Sequence, residues 1–312
     1  MAVADAMGAG FEFRPAEFVD KHNDLSRYLP HQLSKGDHKP GMYTDDTQMA
    51  LAIAEFMLSG QPLTTLNLAD AFVDAFKRDP RTGYSAGFYD LLLEVKDGTE
   101  LLRRLHPHSS KCGGAMRAPV LGLMTDSILC ADRAAWQASV THATPRGMAA
   151  ASAAALLTWL CRNVHTIAGA GNLRAQIRQL VPGFPLDSFK TPVSTDGIEV
   201  VNAAAQAIEK HESMSAILQQ CVDYGGDTDT VAAIALAAAS QSPCIVQDIP
   251  DHLIDGLENG PYGYDYLTDL DFKLEKHFSP DPEEEDPDDD DGLDEDILSF
   301  FNDTTAEPED GA

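Results

Sequence analysis

Apolar residues recur at helical spacing along most of this chain. Ala, Leu and Met fall at i, i+3 and i+4 through QMALAIAEFML (48–58), MAAASAAALLTWLC (148–161) and VAAIALAAA (231–239), the periodicity of helices with a buried face. The pattern predicts helices over about 2–8, 45–58, 66–77, 86–95, 99–105, 115–124, 131–140, 146–162, 172–180, 196–210, 213–223, 229–240, 250–258 and 264–276. Convincing alternating runs, the mark of half-buried strands, are absent. Breaks coincide with Gly, Pro and Asn clusters at LSGQP (58–62), VPGFP (181–185) and ENGPYG (258–263). No segment repeats at a period of roughly 20–50 residues, which argues against a solenoid. The expected fold is one compact all-α domain over residues 1–279.

The pattern changes at about Ser279. SPDPEEEDPDDDDGLDEDILSFFNDTTAEPEDGA is dense in like charge and proline and too poor in apolar residues to fold alone, so residues 280–312 are expected to form a disordered acidic tail. Its apolar island, Leu293, Ile297, Leu298, Phe300 and Phe301, leaves two readings open, a solvated tail or a short amphipathic turn that docks a basic partner. Of the net charge of −28, residues 281–312 carry 16 acidic side chains and no Lys or Arg, which leaves −12 for residues 1–280. A body of that sign is unsuited to a nucleic-acid backbone or an anionic membrane. The longest apolar run is short and mostly alanine, a buried helix rather than a membrane span. The five cysteines are widely spaced with no C-x-x-C pair, so neither a zinc knuckle nor a disulfide framework is expected. The first residues have no basic region and carry Asp5 and Glu12, unlike a signal peptide. A cytoplasmic location is expected.

Two helix starts stand out. YTDDT (43–47) and GGDTDT (225–230) each place carboxylates one or two residues apart where an Ala-rich, buried helix begins. One such start reads as a cap, since Thr and Asp satisfy orphan N–H groups and complement the helix dipole. Two of them, each with more acid than a cap uses, concentrate repulsion and desolvation that a divalent cation would relieve. Donors limited to Asp and Thr oxygens suit a hard ion, Mg²⁺ or Mn²⁺, rather than zinc. Thr44, Asp45 and Asp46 facing Asp227, Asp229 and Thr230 would make a centre for two ions roughly 3.5–4 Å apart. The metal reading outweighs the cap.

These motifs resemble the ADP-ribosylglycohydrolase family across nearly all of residues 1–278. TDDT before an apolar helix and GGDTDTVAAIA later look like its paired metal motifs. ADAMGAGFEF (4–13) resembles its opening GDALGAPxEF, CGGAMRAPVLGL (112–123) its G-N-G-x-A-M-R segment, THATP (141–145) its T-H-x-H-P, and DPRTGYSAG (79–87) a Gly-rich loop of bacterial members. The resemblance implies a compact orthogonal helical bundle with a binuclear metal cleft. It assigns Thr44, Asp45, Asp46, Asp227, Asp229 and Thr230 to two Mg²⁺ or Mn²⁺ ions. Glu12 matches a mobile glutamate that acts as acid or base beside Asp45 and Asp46. Gly113 and Gly114 would admit a diphosphate close to the backbone, and His142 would line the ADP-ribose pocket. Gly83 and Tyr84 would border the distal ribose or adenine, with Ser109, Cys112 and Met116 completing the substrate wall. Arg117 holds either a phosphate or a structural carboxylate, and the structural role is favoured. Three departures are evident: Cys112 replaces the usual Asn, GYSAG has no acidic residue, and the first helix is short.

The activity implied is metal-dependent hydrolysis of the bond joining ADP-ribose to a modified acceptor. Protein arginine is favoured by the GYxxG loop and ENGPYGYDYL. A serine, nucleobase or small-molecule linkage, such as O-acetyl-ADP-ribose, is the alternative, as is a non-catalytic ADP-ribose-binding or toxin-immunity protein. The partner implied is an ADP-ribosylated protein or other ADP-ribosylated acceptor.

Overall fold

The structure, a computed structural model, describes residues 1–32, 38–163, 173–182, 184–185 and 189–279. The acidic tail expected over 280–312, and residue 172 of one expected helix, lie outside the described residues. Among those described, regular structure is helical, with isolated β-bridges and no strand.

The chain opens with α1 (Ala2–Ala9) and α2 (Ala16–His22). The sequence reading missed α2, because this short, polar helix buries only Val19 and shows no periodicity. Then come α3 (Asp45–Leu58), α4 (Thr65–Arg78), α5 (Ala86–Glu94) and α6 (Gly98–Arg104). The single helix expected over 115–124 is broken into α7 (Gly113–Met116) and a 3-10 turn, Pro119–Leu123. Pro119 causes the break, since it has no N–H to donate and its ring clashes with the preceding turn. Next are α8 (Ser127–His142) and α9 (Pro145–Asn163). α8 begins earlier than the expected 131, because Asp126 caps it by accepting from Leu129 N–H at 2.7 Å. The remaining helices are α10 (Leu173–Leu180), α11 (Gly197–Lys210), α12 (Met214–Asp223), α13 (Thr228–Ala239), α14 (Asp251–Asp255) and α15 (Tyr264–Phe278). α14 falls short of the expected 250–258, with Gly256 as its C-cap.

Two alanine-rich helices form the centre. Every residue of α9 from Ala150 to Thr158, and of α13 from Thr228 to Leu236, is buried. Helices buried on all sides are those that are apolar all round rather than along one stripe. α9 packs on α7, α8, α11 and the 3-10 turn, while α13 packs on α1, α11 and α12. Leu156 and Leu157, fully buried in α9, each contribute about 1.5–3 kcal/mol by leaving water. Small residues set the closest approach. A Cβ on Gly8 of α1 would lie 2.5 Å from Asp229 Cα, so α1 presses directly on the start of α13.

The start of α3 is clamped from behind. Tyr43 N–H donates to Glu258 Oε1 at 3.2 Å and its hydroxyl donates to Tyr262 O at 2.9 Å. Arg81 lies across the Tyr43 ring at 4.0 Å and pairs with both Asp79 and Glu258. The ENGPYG break between α14 and α15 therefore buttresses the YTDDT turn. All five cysteines are free thiols, and among the described residues no helix is long and apolar enough to cross a membrane.

Candidate metal centre

Five helix starts elsewhere use their side chains as caps, while Ser85 at α5 does not. Thr64, Asp97, Asp126, Asp196 and Ser213 each accept from a backbone N–H in the first turn. Thr44 and Asp227, in the same position at α3 and α13, make no such bond. The N-cap side chains of the two acidic starts are therefore not spent on capping.

Asp5, fully buried on α1, takes over the work of holding α3. It accepts from Thr44 N–H at 3.0 Å, Thr44 Oγ1–H at 2.8 Å, Thr47 N–H at 3.0 Å and Thr47 Oγ1–H at 2.6 Å. With the orphan N–H groups satisfied from outside, Asp45 and Asp46 are released to face the other way. Asp45 N–H donates to Thr82 O at 3.0 Å, which ties the Gly-rich loop to the same turn. There Gly83 adopts φ +107°, and a Cβ on it would sit 1.9 Å from Asp45 Oδ1. Gly83→Ala is expected to cost roughly 1–3 kcal/mol through backbone strain and to push Asp45 out of place. Melting with and without Mg²⁺ checks this: both the metal-free stability and the metal-induced gain should fall.

At α13 a Gly-Gly turn does the positioning. Gly225 and Gly226 have φ of +66° and +81°, where only glycine is unstrained. A Cβ on Gly226 would meet Val193 O at 1.9 Å. Val193 N–H donates to Gly225 O and Asp227 N–H donates to Val193 O, at 3.0 and 3.1 Å. Thr228 Oγ1–H donates to Gly8 O at 2.8 Å, fixing the start of α13 on α1.

The two starts meet at a cleft of about 440 Å³, lined by Asp45, Asp46, Asp227, Asp229 and Thr230 together with Glu12. Gly83 and Tyr84 form one wall; Ser109, Cys112, Gly113, Met116 and His142 form another. Thr44 and Gly114 lie behind the lining. Thr44 Oγ1 gives its proton to Asp5, and a Cβ on Gly114 would meet Ala138 and His142 side chains at 3.2–3.3 Å.

Burial raises the carboxyl pKa of Asp45, Asp46 and Asp229 well above the usual range, and neighbouring carboxylates add to it: Asp5 and Glu12 on Asp45, Asp45 on Asp46, Glu12 and Asp46 on Asp229. Asp227 is pushed to about 6, again by burial first and Glu12 second. Among the described residues no Lys or Arg forms an ion pair with any of these groups. Asp46 Oδ1 and Asp227 Oδ2 are buried with no hydrogen-bond partner. Buried oxygens of that kind call for a partner, and two of them on acidic side chains at one cleft are what a bound cation would satisfy. Hard-oxygen donors, no compensating cation and two orphaned oxygens fit a divalent metal.

Several functional contacts were not predicted. Glu12 Oε2 lies 2.6 Å from His31 Nε2, and ligand atoms of Glu12, His31 and Asp229 fall within 4.8 Å of one another. Tyr84 spends its hydroxyl on Gln48 Oε1 at 2.7 Å, so its ring is what the cleft meets. Buried Arg117 donates to Gln137 Oε1 at 2.6 Å and to Thr141 Oγ1 at 2.7 Å, and its guanidinium covers Phe72 at 4.4 Å. The favoured structural role for Arg117 agrees with these contacts, although its partners are neutral groups and not a carboxylate. Arginine only donates, so Thr141 Oγ1 accepts from it, and the same hydroxyl shares a hydrogen bond with His142 Nδ1, 2.7 Å away. His142 is held neutral, its pKa lowered to about 3 by burial and then by Arg117. Its Cε1 and Nε2 edge faces Gly113, where a Cβ would be 2.9 and 3.2 Å from those atoms. Cys112 Sγ accepts from Thr230 Oγ1 at 3.8 Å, and burial followed by Asp227 and Asp46 raises its thiol pKa. Asp5 was legible only as an acid among alanines, and His31 carried no local signal.

Fold and cleft together describe an all-α protein with a carboxylate centre suited to hard cations. The family model for ADP-ribosylglycohydrolase matches residues 1–282, and the chain belongs to that family of hydrolases. The ADP-ribosyl-(dinitrogen reductase) glycohydrolase of Rhodospirillum rubrum is 28% identical over 88% of this chain and 89% of its own length. Human ADP-ribosylhydrolase ARH3 is 30% identical over 42% of this chain and 41% of that protein. Among solved structures, a chain titled ADP-ribosylglycohydrolase-related protein complex shares the fold with a TM-score of 0.67 and 21% identity, covering 89% of this chain and 94% of that one.

Proposed function

We propose that the protein hydrolyses the glycosidic bond between ADP-ribose and an acceptor, with protein arginine as the acceptor and two Mg²⁺ or Mn²⁺ ions as cofactors. The observation that carries this reading is the pair of acidic helix starts. They do not spend their N-cap side chains on capping, they face one cleft, and they leave Asp46 Oδ1 and Asp227 Oδ2 buried without a partner. Asp45, Asp46, Asp227, Asp229 and Thr230, which line the cleft, would hold the ions, whereas Thr44, the sixth expected ligand, sits behind the lining with its hydroxyl 2.8 Å from Asp5 Oδ1 and 3.3 Å from Asp46 Oδ2. When bound, such ions supply Lewis-acid polarisation and a lowered pKa for water at neutral pH.

The chain's own residues supply the rest. Gly113 lets a diphosphate approach the backbone, and the His142 ring is held beside it through Thr141 and Arg117. Tyr84 offers a ring face to ribose or base. Glu12 is the carboxylate placed to move a proton at the scissile C–N or C–O bond as charge develops on the departing ribose. The arginine preference rests on the GYSAG loop and the ENGPYGYDYL segment. The Rhodospirillum relative, matched over nearly its whole length, is named for an ADP-ribosylated protein substrate, which supports a protein acceptor.

Arginine-, serine- and nucleobase-linked ADP-ribose and O-acetyl-ADP-ribose, assayed with Mg²⁺, Mn²⁺ or EDTA, test the proposal. Arginine-linked turnover abolished by EDTA is the expected result. Binding of ADP-ribose with no turnover of any member would place the protein among non-catalytic binders. The acidic tail, which we infer to be dispensable, lies outside every motif used here. Truncation after residue 280 should leave the rate on a small substrate within about threefold, whereas a loss of about a hundredfold, roughly 2.7 kcal/mol of transition-state stabilisation, would place the tail in the site.

A further inference from the structure

We propose that His31 is the positioning residue for Glu12, a histidine that holds this carboxylate at the metal cleft in one orientation; the inference rests on the acid–base role given to Glu12 above. A carboxylate that moves a proton must present a chosen oxygen to it, and a free glutamate at a cleft mouth has several rotamers. Here one oxygen is already taken. Glu12 Oε2 accepts from His31 Nε2–H at 2.6 Å, leaving Oε1 as the reactive oxygen. The imidazole has no competing partner among the described residues, since its Nδ1 is buried and unpaired. Its side chain is only 3% exposed.

The segment that carries His31 is fastened on both sides. Tyr28 Oη–H donates to Leu253 O at 2.6 Å, and His252 Nε2–H donates to Leu25 O at 2.8 Å, tying the segment to α14. On the other side it lies on the turn that carries Glu12. Gly10 has no Cβ where one would be 2.8 Å from Leu29 Cβ, and Arg14 Nη2 donates to Pro30 O at 3.2 Å. Glu12 is followed by Phe13 at φ +51°, a conformation a bulky residue adopts only when held, and its N–H is held by Gly226 O at 2.9 Å. Where the resemblance implied a mobile glutamate, the backbone and side chain of Glu12 are here held from opposite directions, by the GGDTDT turn and by His31. The His38 ring, 5.4 Å from that of His31 and hydrogen-bonded to Thr82 Oγ1 at 3.0 Å, closes the far side. The His31 side chain is hydrogen-bonded to Glu12, and its ligand atom also lies within 4.8 Å of one on Asp229, so the Mg²⁺ response is followed as well as the rate.

The test compares His31→Ala, His31→Gln and Glu12→Gln, singly and combined, on the linkage the wild type cleaves fastest. His31→Ala should lower kcat about tenfold or more while KM stays within about threefold. His31→Gln, which keeps an N–H donor, should recover most of the rate and covers the case in which the alanine variant folds poorly. In the Glu12→Gln background His31→Ala should cost nothing further, the non-additivity of a contacting pair. The Mg²⁺-induced rise in melting temperature should survive in both His31 variants, and ¹⁵N NMR of the metal-free chain should show the His31 ring protonated on Nε2. Wild-type kcat in His31→Ala, an additive loss in the Glu12→Gln background, loss of the Mg²⁺ response or a ring that carries no proton on Nε2 would each overturn the proposal. A fully active Glu12→Gln variant would instead remove the acid–base role itself, so the two failures are distinguishable.

Discussion

Glu12→Gln is expected to bind ADP-ribose and Mg²⁺ as the wild type does and to hydrolyse its substrate about 10²–10⁴-fold more slowly, the range for loss of a general acid or base. The substitution keeps size and polarity but removes the site of proton transfer. Its stability effect should be small by comparison. The residue belongs to a turn already fixed by backbone contacts, through Phe13 N–H to Gly226 O and Arg14 N–H to Phe11 O at 2.9 and 3.0 Å. The change also removes one carboxylate from a crowded set, since Glu12 raises the carboxyl pKa of Asp45, Asp227 and Asp229. Stopped assays under single-turnover conditions separate the chemical step from binding. A wild-type rate would return Glu12 to an ordinary rim carboxylate.

Much of the site was legible because its parts are local in sequence. TDDT and GGDTDT each put their acids within one helical turn, so the acids that line the cleft could be picked out as candidate donors before anything was known of the fold. Gly83 and Gly226 were readable as turns, but not the reasons for them, an Asp45 carboxylate and a Val193 carbonyl where a Cβ would stand. Asp5 and His31 show where local reading stops. Asp5 satisfies an N-terminus some 40 residues away, with separations of 39 and 42, and His31 finds Glu12 only because the segment before it is pinned to α14. Such partners are chosen by tertiary packing, which leaves no periodic trace. The same limit explains the fold differences. α2 buries too little to show a stripe, and the 115–124 run kept its apolar spacing across a proline that breaks the helix.

The second large effect concerns the centre itself. If Asp46 were only part of a cap, Asp46→Asn would cost no more than about 0.5–2 kcal/mol and leave the response to metal intact. As a shared ligand it should behave differently. Without metal, Asp227 has a folded pKa of about 6 against an ordinary 3.8. A raised acid binds more protons when folded than when unfolded. Its contribution is therefore present at low pH and lost as pH rises through that window, and the metal-free protein should lose stability between about pH 4 and 6. Asp46→Asn and Asp229→Asn each remove one like charge from the cluster, so the metal-free variants should melt no lower than the metal-free wild type, and higher where repulsion dominates. Both should lose metal-dependent hydrolysis.

The most direct measurement is a set of melting curves for wild type, Asp46→Asn and Asp229→Asn at neutral pH, each with EDTA and with Mg²⁺. An ion that binds only the folded state stabilises it by about 2.7 kcal/mol at a hundredfold excess over its dissociation constant. A centre shared by the two helix starts predicts that the wild type gains stability of that order and that both variants, altered 183 residues apart in the chain, lose most of the same gain. Full retention of the Mg²⁺-induced gain in either variant would contradict a shared centre and exclude that helix start from it.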